Sequence, residues 1–216
     1  MSTLKSLSVN VLVAFAAGVW ALLLILQGAA LPGEWWKPFS MVVGAVVLLL
    51  EAFEYWGWRI SWLHPWLVCV PDLSGIWKGD LTTQWINPDT GVRPEPIQAY
   101  MVVRQTFSRI SIRVLTRESS SLLLGGQFSR EQDGDMVLTG TYRNTPRIEH
   151  RRRSPIHYGG LLLDIPRRED RLRRLGGQYW TDRQTLGDLS FIWACRGVAS
   201  NFATAEAIVG QEPAER

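Results

Sequence analysis

Lysine is nearly missing from this chain. Only 3 of its 23 basic residues are lysine; the other 20 are arginine. Cysteine is scarcer still, with Cys69 and Cys195 alone. Two cysteines exclude a disulfide framework, and neither has the surroundings of a thiol active site. There is no Gly-rich phosphate loop, no His/Cys metal spacing and no nucleophile elbow. The three histidines, His64, His150 and His157, are scattered. No pair of carboxylates stands out against an apolar background. These absences argue against an enzyme. Long helical periodicity is missing after residue 75, which excludes a helical bundle there.

What is present falls into two unlike parts. With 216 residues and 46% hydrophobic content, the chain has room for one ordinary domain and something small. Tryptophan is abundant, at 11 residues. Seven of them (Trp20, Trp35, Trp36, Trp56, Trp58, Trp62 and Trp66) precede residue 67. Indoles at the ends of apolar runs suit a membrane interface, because the ring is apolar and its N–H is not. One uncharged apolar run covers Val11 to Leu26. A second begins at Phe39 and reaches Leu50 before its first charge. About 20 apolar residues cross a bilayer core, so spans over 7–30 and 39–58 are expected, joined by "LPGEWWKP" into a helical hairpin. The first run also fits a signal peptide with Lys5 as its basic region and "GAA" as its cleavage site.

Lys5 and Arg59 flank one side of the hairpin, while Glu34 and Lys37 cancel in the loop. The positive-inside rule therefore places both termini, and whatever follows, in the cytoplasm. Small residues recur four apart, as in Ala14 with Gly18, Ala17 with Ala21 and Ser40 with Gly44. Such spacing permits close helix packing in lipid. Ala14, Gly18, Ala21 and Gly44 are the candidate assembly positions, with packing of the hairpin against itself the competing explanation. Glu51 and Glu54 lie near the end of the second span. Acidic groups at that depth sit at the headgroup level or face water or protein.

Residues 61–74 read as a linker. Beyond it, short strand-like segments alternate with turn signals. The expected strands are Gly75–Thr83, Gln98–Phe107, Ile110–Thr116, Ser121–Phe128, Met136–Tyr142, Ile156–Asp164, Leu172–Thr181 and Leu186–Cys195. Eight strands with short links predict an up-and-down barrel over 75–198, with a sandwich as the alternative. A barrel of eight encloses side chains or one small ligand. Alternation is incomplete: in 99–107, Met101, Val103 and Phe107 share one face, yet Val102 lies on the other. A partly polar interior is one consequence. The tail, 199–216, has no assigned role.

A meander puts the links 84–97, 117–120, 143–155 and 182–185 at the end away from the linker. "PRREDRLRR" (Pro166 to Arg174) falls at the linker end, where it fits anionic headgroups. Between Arg93 and Arg183 there are 17 arginines, no lysine and 10 acids. Arginine offers a planar fork for phosphate, and interleaved Tyr, Trp and His residues can stack on bases. An arginine-rich solvated surface is the alternative.

The architecture, with "LSGIWKG" and the closing "GQYWTDRQTLG", resembles the SMODS-associating two-transmembrane β-strand-rich effectors. These are membrane effectors of CBASS anti-phage defence, also described as CD-NTase-associated proteins. "LSGIWKG" is also similar to the lipocalin opening, with Gly75 and Trp77 at the barrel base. The resemblance implies a cytoplasmic barrel that binds a cyclic dinucleotide made by a linked nucleotidyltransferase. Binding would promote homo-oligomeric assembly of inner-membrane hairpins, membrane disruption and growth arrest. It implies no enzyme, no cofactor beyond that activating ligand and no polymeric nucleic acid. It carries no residue-level motif. From chemistry, Arg113, Tyr142, Tyr158, Tyr179, Thr181 and Arg183 are the candidate ligand contacts. A membrane-tethered, lipocalin-like carrier of an apolar ligand is the competing expectation, and it requires an apolar interior.

Overall fold

The computed structural model describes residues 9–26, 39–64, 67–87, 90–132, 134–166 and 174–211. The chain divides into two compact units: Met1–Pro71 with Thr106–Ser108, and Asp72–Gln105 with Arg109–Arg216.

In the first unit, helix α1 spans Val9–Leu26 and α2 spans Phe39–Tyr55. At 1.5 Å per residue these are about 27 and 26 Å long, against a hydrocarbon core of about 30 Å. Among the described residues no helix is long and apolar enough to cross a membrane. The expected 39–58 span stops short for a local reason. After Tyr55 the backbone tightens into two 3-10 turns, Gly57–Arg59 and Ser61–Leu63. Trp58 is fully buried there with Leu63 and Val68, flanked by Phe53, Leu67 and Phe107. It thus belongs to a small protein core, while Tyr55, Trp56 and Trp62 are exposed. The loop 31–38, the end of the expected first span and the "GAA" site lie outside the described residues.

Glu54 has an assignable structural job. Its carboxylate accepts hydrogen bonds from the Thr106 and Ser108 hydroxyls and from the Ser108 N–H at 3.1 Å. Its carbonyl accepts from the Phe107 N–H at 3.1 Å. The Phe53 and Phe107 rings meet edge to face at 5.0 Å. A charged acceptor held by several donors gains more than a neutral one.

The second unit is an eight-stranded closed barrel in simple sequence order, every neighbour antiparallel. Its strands are β1 (Gly75–Thr83), β2 (Ile97–Gln105), β3 (Ile110–Leu115), β4 (Ser119–Arg130), β5 (Met136–Pro146), β6 (His157–Ile165), β7 (Arg174–Thr181) and β8 (Leu186–Cys195). β8 returns to pair with β1, so no sheet edge remains. β4 and β5 run longer than expected and carry a bulge between Leu123 and Gly125. The expected basic patch "PRREDRLRR" falls at residues 166–174, of which 167–173 lie outside the described residues.

The barrel is plugged at the end where β1 begins. Inward positions there hold Trp77, Met101, Ile112, Leu138, Leu163, Leu175 and Phe191, all essentially inaccessible to solvent. Burying each large apolar side chain contributes about 1.5–3 kcal/mol. The Trp77 indole N–H donates to the Leu73 carbonyl at 2.9 Å, and the Gln105 side-chain oxygen accepts the Leu73 N–H at 2.9 Å. Gly75 makes this base possible. Its φ is +132°, and a Cβ there would sit 2.6 Å from the Cys195 carbonyl oxygen.

Helix α3 (Phe202–Gln211) explains the incomplete alternation. Ile76, Tyr100, Val102, Leu115 and Cys195 point out of the barrel, where Ala199, Phe202 and Ala205 bury them. The Tyr100 and Phe202 rings meet at 5.1 Å. β1–β3 are therefore apolar on both faces because both faces are covered. The Asn201 side-chain oxygen starts the helix by accepting the Thr204 N–H at 2.9 Å.

Candidate ligand-binding site

At the opposite end of the barrel the inward side chains become smaller and more polar, and a cavity of about 450 Å³ opens. That volume lies in the range of small-molecule pockets. Its floor is apolar: Leu81, Ile112, Val114, Leu123, Leu161 and Leu189. Its upper wall is polar: Ser119, Ser121, Asn144, His157, Thr181 and Thr185. Arg117 and Glu118 from the β3–β4 link, His150 and Ser154 from the β5–β6 link, and Arg183 from the β7–β8 turn form the mouth.

Tyr142 and Tyr179 stand between floor and rim. Each lies over a cross-strand glycine. A Cβ at Gly159 would meet the Tyr142 ring at 2.6 Å, and one at Gly187 would meet the Tyr179 ring at 2.7 Å. Only glycine lets these rings lie flat on the wall. Burial pushes both phenols above their usual range; for Tyr142 the nearby Tyr179 and Asp182 push the same way. At neutral pH both keep their protons and can donate hydrogen bonds.

The β7–β8 turn is tightly organised. Thr181 and Thr185 hydroxyls are 2.7 Å apart, and the Thr181 oxygen accepts the Arg183 N–H at 3.2 Å. Gln184 takes a left-handed φ of 60°. The Arg183 guanidinium donates to the Ser154 hydroxyl at 2.9 Å, joining two of the mouth's loops. Arg153 pairs with Glu118, an acid at the mouth, and offsets its charge. Arg117 is held by Glu206 at 3.1 Å and lies over the Phe202 ring.

Of the six candidate contacts, Tyr142, Tyr179, Thr181 and Arg183 line this cavity. Arg113 and Tyr158 do not. Arg113 lies between Ile112 and Val114, both of which face inward, so the two-residue period turns it outward. Tyr158 follows inward His157 and is 53% exposed on the outer wall. Ser119, Ser121, Asn144 and Arg117 also line the cavity. Their signal was the continuation of the inward parity of Tyr142 to Asn144, and of Leu123 back to Ser121 and Ser119.

The candidate assembly positions lie on α1 and α2. A Cβ at Gly18 or Gly44 would meet nothing within 4 Å, and Ala21 is exposed.

A closed barrel, plugged at one end and opening at the other into a polar-rimmed cavity with a cationic mouth, defines a small-molecule receptor fold. The chain belongs to the family described as "Cap15, cyclic dinucleotide receptor domain", which matches residues 68–192, more than half of its length. It is 27% identical over 118 residues to the CD-NTase-associated protein 15 of Staphylococcus schleiferi. The aligned part covers 55% of this chain and 58% of that relative.

Proposed function

We propose that this chain is a CBASS effector whose barrel binds a cyclic dinucleotide in the 450 Å³ cavity. The observation that carries the reading is the two-zone lining. Tyr142 and Tyr179 offer ring faces to bases, while Arg183 and the neighbouring histidines offer cationic or hydrogen-bonding groups to phosphates. The receptor-domain match covers the strands that build this cavity. A wholly apolar carrier does not call for Ser119, Ser121, Asn144, Thr181 and Thr185 on the wall. The family supports a binding role rather than catalysis.

In this reading the hairpin resides in the bacterial inner membrane, with both termini and the barrel in the cytoplasm. The ligand comes from a linked nucleotidyltransferase. Ligand favours an assembled form because it binds that form more tightly. Gly18 and Gly44, with open space beside them among the described residues, supply close-packing faces between copies, together with Ala14 and Ala21. Assembly then disrupts the membrane and arrests growth.

A thermal-shift screen of the full chain in detergent, against cyclic dinucleotides and fatty acids, tests this. A ligand that binds only the folded state raises the melting temperature with concentration. Cyclic dinucleotides are expected to do so, and Arg183→Ala and Tyr179→Ala each to weaken binding by roughly tenfold or more. A response to fatty acids alone contradicts the reading and favours the carrier.

A further inference from the structure

The outer wall of the barrel carries an open groove across β4–β7, on the face away from the cavity. Its floor has few side chains. Gly125, Thr141 and Gly160 are successive cross-strand neighbours in one row, and the row ends on Trp180. The Trp180 ring lies against Gly160, where a Cβ would strike it. Trp180, Tyr158 and Leu124 line the groove at 49%, 53% and 53% exposure. Exposed apolar side chains clustered in this way and rimmed by charge mark an interaction site. The rim here has both signs. Asp182 stands on one side of Tyr158, whose N–H it accepts at 3.1 Å. Arg143 pairs with Tyr158 on the other side. It points outward because Tyr142 and Asn144 face the cavity. The Arg143 side chain has no hydrogen bond or ion pair among the described residues.

A segment that matches this groove lies in the same chain. Arg93, Pro94, Glu95 and Pro96 end the β1–β2 link, all four exposed and in neither helix nor strand. Proline fixes its own φ near −65° and pushes the residue before it into extended backbone. All four residues therefore favour polyproline II, a pre-organised form that docks in aromatic-lined grooves. Arg93 and Glu95 are two residues apart, about 6 Å in that conformation. Arg143 and Asp182 are two strand spacings apart, about 10 Å, and the long arginine side chains on both surfaces span the difference. Segment and groove are both exposed in the single chain, so neither covers the other there.

We propose that residues 93–96 of one copy dock in the outer groove of the next. The prolines lie against Trp180 and Tyr158, Arg93 faces Asp182, and Glu95 faces Arg143. Segment and groove are different surfaces, so the contact is heterologous and repeats from copy to copy. It is weak alone and gains strength where neighbouring chains are held close together, because their effective concentration is high. It needs no ligand in the cavity and does not rest on the cyclic-dinucleotide reading.

The test is sedimentation velocity of the full, ligand-free chain in detergent over a series of protein concentrations. The unaltered chain is expected to self-associate. Glu95→Arg and Arg143→Glu should each weaken that association about three- to tenfold, by setting like charges face to face. Mixing the two variants should restore it, because each segment then meets a groove of opposite charge. That restoration also separates a lost contact from a folding defect. Trp180→Ala should weaken association about tenfold. Association unchanged by the reversals or by Trp180→Ala overturns the proposal, as does a mixture that associates no more tightly than its components. An unaltered chain that stays monomeric overturns it too, and leaves the groove to a proline-rich segment of a different protein.

Discussion

Tyr142 shows how a single residue links stability and site. Its phenol is buried at the cavity wall, and burial raises its pKa above the ordinary value of about 10. The unfolded chain therefore ionises first as pH climbs. Folded-state stability is fully present below about pH 10 and is lost above it, by up to about 1.4 kcal/mol per pH unit for this group. Denaturant melts of Tyr142→Phe should show a shallower alkaline loss than the unaltered protein; an identical slope would mean that Tyr142 is not buried as described. At this scale the sequence was readable in part. Tyr179, Thr181 and Arg183 crowd one hairpin, and hydrogen-bonding chemistry singles them out. Asn144 was harder to find, because its place on the cavity wall follows only once β5 is seen to continue past Tyr142. Arg113 and Tyr158 carried the right chemistry on the wrong face of the strand, a distinction that depends on register.

Elements follow the same division. β1 and β8 have the same ends in the sequence reading and in the structure, since glycine and turn residues punctuate both. β4 and β5 outran the expectation because "SSS" and "RNTP" are poor strand formers alone, yet pair with each other along the ladder from Ser119 with Pro146. Helix α3 falls in the tail, which the sequence leaves open between a short helix and disorder, with no role. Its purpose is visible only from the outward residues of β1–β3 that it covers, and those were read as imperfect alternation. Phe202 anchors it, at 4% exposure. Phe202→Ala should therefore cost about 3 kcal/mol in denaturant unfolding while leaving ligand affinity unchanged. A loss under about 1 kcal/mol would show that α3 is peripheral to the barrel's stability.

For the whole molecule, the proposal couples a ligand-binding barrel to assembly through the helical segment. Gly18 has open space around it, so Gly18→Leu should leave the folded monomer and ligand affinity intact. It should suppress ligand-dependent oligomers in crosslinking and relieve growth arrest, because a bulky side chain blocks close helix approach. Undiminished oligomers in that variant would remove this face from the mechanism. The central claim is that the polar half of the barrel's cavity is the receptor site. Ser121→Trp tests it most directly, since Ser121 faces the cavity and lies outside the plugged base. Calorimetric titration of a cyclic dinucleotide into the folded variant should show binding abolished while the melting temperature in the absence of ligand stays within a few degrees of the unaltered protein. Binding at undiminished affinity with the cavity filled would contradict the account.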